Sequence, residues 1–267
     1  MKAFARLYAR LDETTSTNGK LAALRDYFAT AGDADAAWAV FFLAGHKLPQ
    51  AVPTKLLRAL ATRAAGISDW LFEESYQAVG DLAETIAHLL PDPGAGSDLP
   101  FVRWVEDRLL PLRKLPEAEV EARVLEAWRE LDARGRFVWN KLITGGFRVG
   151  VSKLLVTRAV AESAGIEPQL EAERLMGEWQ PSAERYRALR VTDDATDRAG
   201  RPYPFFLAHP LQQEPATLGP LADWHAEWKW DGIRAQLIRR AGKTFLWSRG
   251  DELITERFPE IAVIGER

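Results

Sequence analysis

The spacing of apolar residues changes once along this chain, and that change limits what it can fold into. Up to about residue 190 the period is helical: Phe4, Leu7, Tyr8 and Leu11 recur at i, i+3, i+4 and i+7 and share one stripe. After the polar stretch Asp12–Asn18, the stripe resumes at Leu21, Leu24, Tyr27 and Phe28. Asp33 or Asp35 is placed to cap a third helix carrying Trp38, Phe41 and Phe42. Pro53 stands where a first helical turn tolerates it, ahead of Leu56, Leu57 and Leu60, and Ser68 with Asp69 and Glu73 marks another helix start. The Pro- and Gly-rich run from Pro91 to Ser97 breaks the pattern. Helical spacing returns at once over Phe101–Leu110 and Pro116–Leu131, so the break reads as a long inter-helix loop.

Beyond Arg190 the chain turns polar and is then locked by Pro202 and Pro204, as in a linker. The following segments, Glu227–Asp231, Ile233–Arg240 and Lys243–Ser248, read as strands, with a tight hairpin turn at Ala241-Gly242. The expected architecture is therefore multi-domain: an all-α domain over 1–190, a linker over 191–204, and over 205–267 the start of an α+β domain with antiparallel strands. Two or three strands make a marginal sheet, so the second domain is expected to be incomplete.

Composition removes several classes of function. With no cysteine among 267 residues, disulfide scaffolds, zinc fingers, iron–sulfur sites and thiol nucleophiles are excluded. The net charge of −3 rules out a uniformly basic nucleic-acid binder but not a locally basic face. His46, His88, His209 and His225 lack ligand spacing, so no protein-borne metal site is expected. No apolar run approaches a membrane span and the first residues are charged, so a soluble cytoplasmic protein is the expectation, and it is taken to be a monomer.

Two segments carry chemistry. Trp139–Leu155 holds Gly145, Gly146 and Gly150 between two apolar helical stretches. Gly150-Val151-Ser152 then opens a helix whose free N–H groups and positive dipole end suit a phosphate. Lys141, Arg148 and Lys153 add charge that can seat a nucleic-acid backbone without reading bases. On spacing alone, a bend that needs small residues explains the segment at least as well.

In the second segment, Glu227-Trp228-Lys229-Trp230-Asp231-Gly232-Ile233-Arg234, strand alternation puts Glu227, Lys229 and Asp231 on one face and the tryptophans on the other. One reading is a salt-bridged strand with its tryptophans in a core; the other is a nucleophilic lysine. A free lysine has a pKa near ~10.4, so attack on phosphorus requires desolvation or neighbouring cations to release its proton. Arg234 and, after the second hairpin strand, Arg249 supply planar forks that match phosphate. Gly242-Lys243-Thr244 imitates a phosphate loop, but that motif requires glycine where Leu237 stands.

Taken together, these segments resemble the ATP-dependent DNA ligases, particularly the bacterial single-chain type. Glu227–Arg234 resembles the family's E-x-K-x-D-G-x-R nucleotidyltransferase motif, and Ser248-Arg249-Gly250 with Phe258-Pro259-Glu260 resembles the next. Thr144-Gly145-Gly146-Phe147-Arg148-Val149-Gly150-Val151-Ser152 is similar to a hallmark of the ligase DNA-binding domain, and Pro204–Ala208 to the first strand of the adenylation domain. The resemblance implies an N-terminal helical DNA-binding domain followed by a nucleotidyltransferase domain. It implies that Lys229 takes AMP from ATP, that Glu227 contacts adenine, and that Arg234 and Arg249 lie at the ribose and phosphates. Magnesium would be held largely by the phosphates. Lys141, Thr144, Gly145, Gly146, Arg148, Gly150, Ser152 and Lys153 would form the DNA-binding set. The implied substrate is nicked duplex DNA, in replication, repair and recombination, with a repair nuclease or helicase as a family-level partner.

The family's later motifs and its C-terminal OB-fold have no counterpart before Arg267, so the chain by itself is expected not to complete ligation. Two alternatives remain at this stage. One is a non-catalytic DNA-binding fragment. The other is a different lysyl-nucleotidyltransferase, an RNA ligase or a capping enzyme, against which the long helical leader argues.

Overall fold

The computed structural model describes residues 1–91, 96–147, 149–166, 179–190, 202–205, 210–225, 227–228, 230–240, 242–249 and 254–266. The chain divides into two compact units, Met1–Glu171 with Gln180–Thr192, and Ala172–Trp179 with Asp193–Arg267. As the periodicity predicts, the described residues are mostly helical, with one small antiparallel sheet.

In the first unit the helices are α1 (Lys2–Asp12), α2 (Thr17–Thr30), α3 (Asp33–Leu43), α4 (Thr54–Ala65), α5 (Asp69–Val79) and α6 (Leu82–Leu89). The short α7 (Phe101–Arg103) runs into a π segment (Trp104–Leu109) and a 3-10 segment (Leu110–Lys114), followed by α8 (Glu117–Glu130), α9 (Ala133–Thr144), α10 (Lys153–Ala164) and α11 (Ala183–Leu189). The expected continuous helix over Phe101–Leu110 thus changes its winding. Pro111 has no N–H to give a helical carbonyl and its ring crowds the preceding turn, so the ladder loosens and then tightens around it.

The predicted stripes are buried: Phe4, Leu7, Tyr8 and Leu11 on α1, and Leu21, Leu24, Tyr27 and Phe28 on α2. The start of α3 corrects one expectation. Gly32 is the N-cap, and Asp33 and Asp35 lie inside the first turn, where the helix dipole still favours them. Asp35 accepts the Val102 N–H at 2.8 Å, and Asp33 pairs with Arg187 of α11 at 2.8 Å.

An aromatic cluster forms the middle of this unit. Phe4 stacks on Phe101 with ring centres 3.9 Å apart, and Phe147 packs against Phe4, Tyr8 and Phe42 at 5.7, 5.1 and 5.6 Å. Burial pushes the Tyr8 phenol well above its ordinary pKa, helped by the carboxylates of Asp12, Asp81 and Glu84, so it stays neutral in the core. A buried polar knot ties α9 to α6 and α8. Trp128 Nε1 donates to Asn140 Oδ1 at 2.8 Å, Asn140 Nδ2 donates to the Ala83 carbonyl at 3.4 Å, and Arg136 Nε donates to the Trp128 carbonyl at 2.5 Å.

In the second unit β1 (Ala235–Arg240) pairs with β2 (Lys243–Ser248), from Ala235 opposite Ser248 to Arg240 opposite Lys243. Gly242 takes a left-handed φ of 73° in the hairpin turn. The other edge of β2 is bonded to the segment ahead of α12 (Pro259–Glu266): Ile254 N–H reaches the Leu246 carbonyl at 2.8 Å, and Leu246 N–H reaches Thr255 Oγ1 at 3.0 Å. Pro259 occupies the first turn of α12, where its missing N–H costs nothing. The helix packs so closely that a Cβ on Gly265 would lie 2.7 Å from Thr244 Cγ2.

The expected first strand, Glu227–Asp231, is not one. Glu227, Trp228, Trp230 and Asp231 are exposed and outside any ladder, because among the described residues no strand lies beside them to take their backbone bonds. The tryptophans, 85% and 83% exposed, belong to no core.

Removing the Phe147 ring should cost about 3–5 kcal/mol. Urea unfolding of Phe147→Ala, with the aromatic near-UV signal of the core as readout, checks this. Gly265→Ala should speed amide exchange across β1 and β2, since the helix must move away from the hairpin to admit a methyl group.

Candidate functional site

The turn between α9 and α10 is built by its glycines and held by its one aromatic residue. Gly145 ends α9 in the left-handed region with φ 69°, where its N–H and that of Gly146 bond back to the carbonyls of Leu142 and Lys141. Phe147 then plunges into the aromatic cluster, and Val149 is buried beside it. Gly150, again left-handed at φ 62°, brings the chain back out, and Ser152 caps α10 by accepting the Leu155 N–H at 3.2 Å. The backbone is thus tethered inward at Phe147 and presented outward at Gly146, Gly150 and Ser152, all three exposed.

A second helix reinforces this edge. Lys20, in the first turn of α2, donates to the carbonyls of Gly150 at 2.8 Å and Val149 at 3.4 Å. Carbonyls orient an ammonium group without neutralising it, so its charge stays at the turn. Lys20 meets Gly150 ahead of α10, and Arg25 lies 4.0 Å from Glu162 near its far end. The two helices therefore run the same way, and both positive dipole ends, at Ser16 and Ser152, fall on the same side. Sequence reasoning missed Lys20. No local signal marks it, because the partner carbonyls are about 130 residues away and meet it only in the folded unit.

The predicted loop residues do not all share this surface. Gly145, Gly146, Gly150, Ser152 and Lys153 gather in the turn and the first residue of α10. Lys141 is drawn elsewhere: its side chain, 13% exposed, pairs with Asp81, which also caps α6. Thr144 donates its hydroxyl to the Asn140 carbonyl at 2.7 Å and so closes α9. Arg148 lies outside the described residues.

In the second unit, Lys229 likewise lies outside the described residues, and Glu227 is exposed. Arg234 and Arg249 are brought together. Arg249 N–H bonds to the Arg234 carbonyl at 2.9 Å, carrying the ladder one step past Ala235 and Ser248. Directly opposite residues on an antiparallel pair share a face, so the two arginines are neighbours on one face at this end of the hairpin. Nearby, the Gln236 side chain clamps Tyr203 as a strand would, accepting its N–H at 2.9 Å and donating to its carbonyl at 2.5 Å. Of the segment expected to open this domain, Phe206–Ala208 lies outside the described residues.

Residues 1–161 match the family model described as DNA ligase N terminus. The chain belongs to the DNA ligase family. Among curated relatives, a probable DNA ligase of Opitutus terrae is 27% identical, with 97% of this chain and 33% of the relative aligned. A probable DNA ligase of Dictyoglomus thermophilum is 25% identical over 96% of this chain and 47% of the relative. A DNA ligase of Pyrobaculum calidifontis is 24% identical over 97% and 48%. The chain spans from a third to about half the length of these relatives. Among the described residues of this ligase-family chain, no helix is long and apolar enough to cross a membrane.

Gly150→Ala should lower the unfolding free energy by about 1–2 kcal/mol, because a left-handed φ penalises a Cβ. The added methyl would also stand about 3.0 Å from Lys20 Nζ. Urea unfolding of the variant reads both effects, and an unchanged midpoint would contradict this geometry of the turn.

Proposed function

We propose that this chain carries the DNA-gripping helical domain and the first nucleotidyltransferase motifs of an ATP-dependent DNA ligase, a nick-sealing enzyme of replication, repair and recombination. The observation that carries the reading is the α9–α10 turn. Its exposed backbone, two helix N-termini and the Lys20 ammonium group converge on one surface, and backbone N–H groups and helix dipoles favour phosphate whatever the base sequence. Such a surface suits an enzyme that must act at a nick of any sequence. Gly146, Gly150, Ser152, Lys153 and Lys20 are the contacts, with Arg148 among them by its place in the motif. Lys141 and Thr144 serve by holding α9 and its end in place.

The chemistry assigned to the second unit follows from its motif. Lys229, once deprotonated, attacks the α-phosphorus of ATP, forming a phosphoramidate N–P bond as the bond to pyrophosphate breaks. The 5′-phosphate of a nick then takes the AMP and frees the lysine. The 3′-hydroxyl attacks that phosphate, a phosphodiester forms, and AMP leaves. Glu227 accepts from the adenine edge. The backbone bond from Arg249 to Arg234, which makes the two arginines neighbours at the hairpin end, supports their role at the ribose and phosphates. Magnesium, if held by the phosphates, would supply charge neutralisation that lets Lys229 approach them.

Two measurements test the reading. The chain should bind a nicked duplex with an affinity that falls steeply as salt rises, and Lys20→Met should weaken that binding while leaving the fold intact. Absence of salt-sensitive binding would remove the DNA assignment. Any acid-labile label acquired from radiolabelled ATP with magnesium should be lost in Lys229→Ala. Label that persists in that variant assigns the nucleophile to another residue, and DNA binding without any labelling leaves a DNA-gripping module alone.

A further inference from the structure

The first unit holds a groove of about 430 Å³ with a cationic and apolar lining. One wall is the loop carrying Leu48, Pro49 and Ala51; the other is the turn after the π segment, with Leu110, Arg113 and Lys114. Its first wall also braces the glycine turn. Ala51 N–H bonds to the Ile143 carbonyl at 3.0 Å, and a Cβ on Gly145 would stand 3.5 Å from the Leu48 carbonyl oxygen. The groove therefore borders the turn already described, on the Gly145 side.

Arg113 and Lys114 stand out by what they do not do. Neighbouring arginines are used within the fold: Arg103 pairs with Asp107 at 2.9 Å, and Arg108 with Glu130 at 2.7 Å. Arg113 and Lys114 are exposed and, among the described residues, make no ion pair. Lys47, also exposed, adds a third positive charge next to Leu48. A cationic rim over a floor of leucine, proline and alanine matches a nucleic-acid strand, whose phosphates seek the cations and whose deoxyribose faces pack on apolar side chains. A purely electrostatic patch would have no use for that floor.

We propose that this groove is a second backbone subsite for duplex DNA, in which Arg113 and Lys114 each engage a phosphate of the strand that lies on the α9–α10 turn. The inference rests on the proposed DNA-binding role. Within it, these two residues are positioning residues: they lengthen the grip on the duplex and add no sequence preference.

The test is fluorescence anisotropy of a labelled nicked duplex over a range of sodium chloride concentrations, comparing wild type with the Arg113→Ala, Lys114→Ala double variant. Each phosphate contact contributes about 0.9 to the slope of log affinity against log salt, so the variant's slope should be shallower by about 1.8. Its urea midpoint should be unchanged, since both side chains are exposed. Arg113→Lys with Lys114 intact should keep the wild-type slope. An unchanged slope in the double variant, with or without a fall in midpoint, overturns the subsite and leaves the turn's role standing. A wild type without salt-sensitive binding overturns the DNA reading itself, and this subsite with it.

Discussion

Phe147 is the residue through which the core of the first unit determines its surface. Its ring lies among Phe4, Tyr8 and Phe42, side chains from two separate helices, so the chain on either side of it has almost no freedom to slide. A glycine-rich turn left to itself would sample many conformations and pay entropy to bind anything. Anchored at its centre, this turn keeps glycine's two advantages, left-handed dihedrals and close approach, without that cost. The polar knot of Trp128, Asn140 and Arg136 does the same for α9, whose last residues lead into the turn.

The electrostatics of the turn depend on the kind of acceptor each cation meets. Lys141 meets a carboxylate, so its charge is cancelled and it becomes part of the scaffold. Lys20 meets two carbonyl oxygens, so it is positioned and stays charged. Arg108 is likewise paired, with Glu130, whereas Arg113 and Lys114 a few residues further on make no ion pair among the described residues. A net charge of −3 thus coexists with a cationic edge, because arginines such as Arg58, Arg103 and Arg108 are paired with acids whereas, among the described residues, Arg113 and Lys114 make no ion pair.

The second unit is organised around the hairpin end. One ladder bond beyond the last strand pair sets Arg234 opposite Arg249 on one face of the hairpin. The hairpin is supported on its outer edge by Ile254 and Thr255 and from one side by α12, whose Gly265 permits contact at backbone distance. The exposed Trp228 and Trp230 belong to a segment that has no strand beside it among the described residues.

Local rules sufficed wherever a residue's environment is set by near neighbours. The apolar stripes of α1 and α2, the helix starts at Ser68 and Ser152, and the hairpin at Gly242 were all legible, because 3.6-residue and two-residue periods and left-handed turns are properties of short segments. The motifs around Gly145 and Glu227 pointed to the ligase family for the same reason: they are contiguous. The sequence could not show that Asp33 and Asp35 would enter the helix and bond to Arg187 and Val102, or that, among the described residues, no strand would lie beside the segment 227–231. Nor could it show that Lys141 would be neutralised while Lys20 remained charged. Those outcomes depend on partners 60 to 154 residues distant, and only the packing of helices around one aromatic core decides which charges are buried with a carboxylate and which remain on the surface.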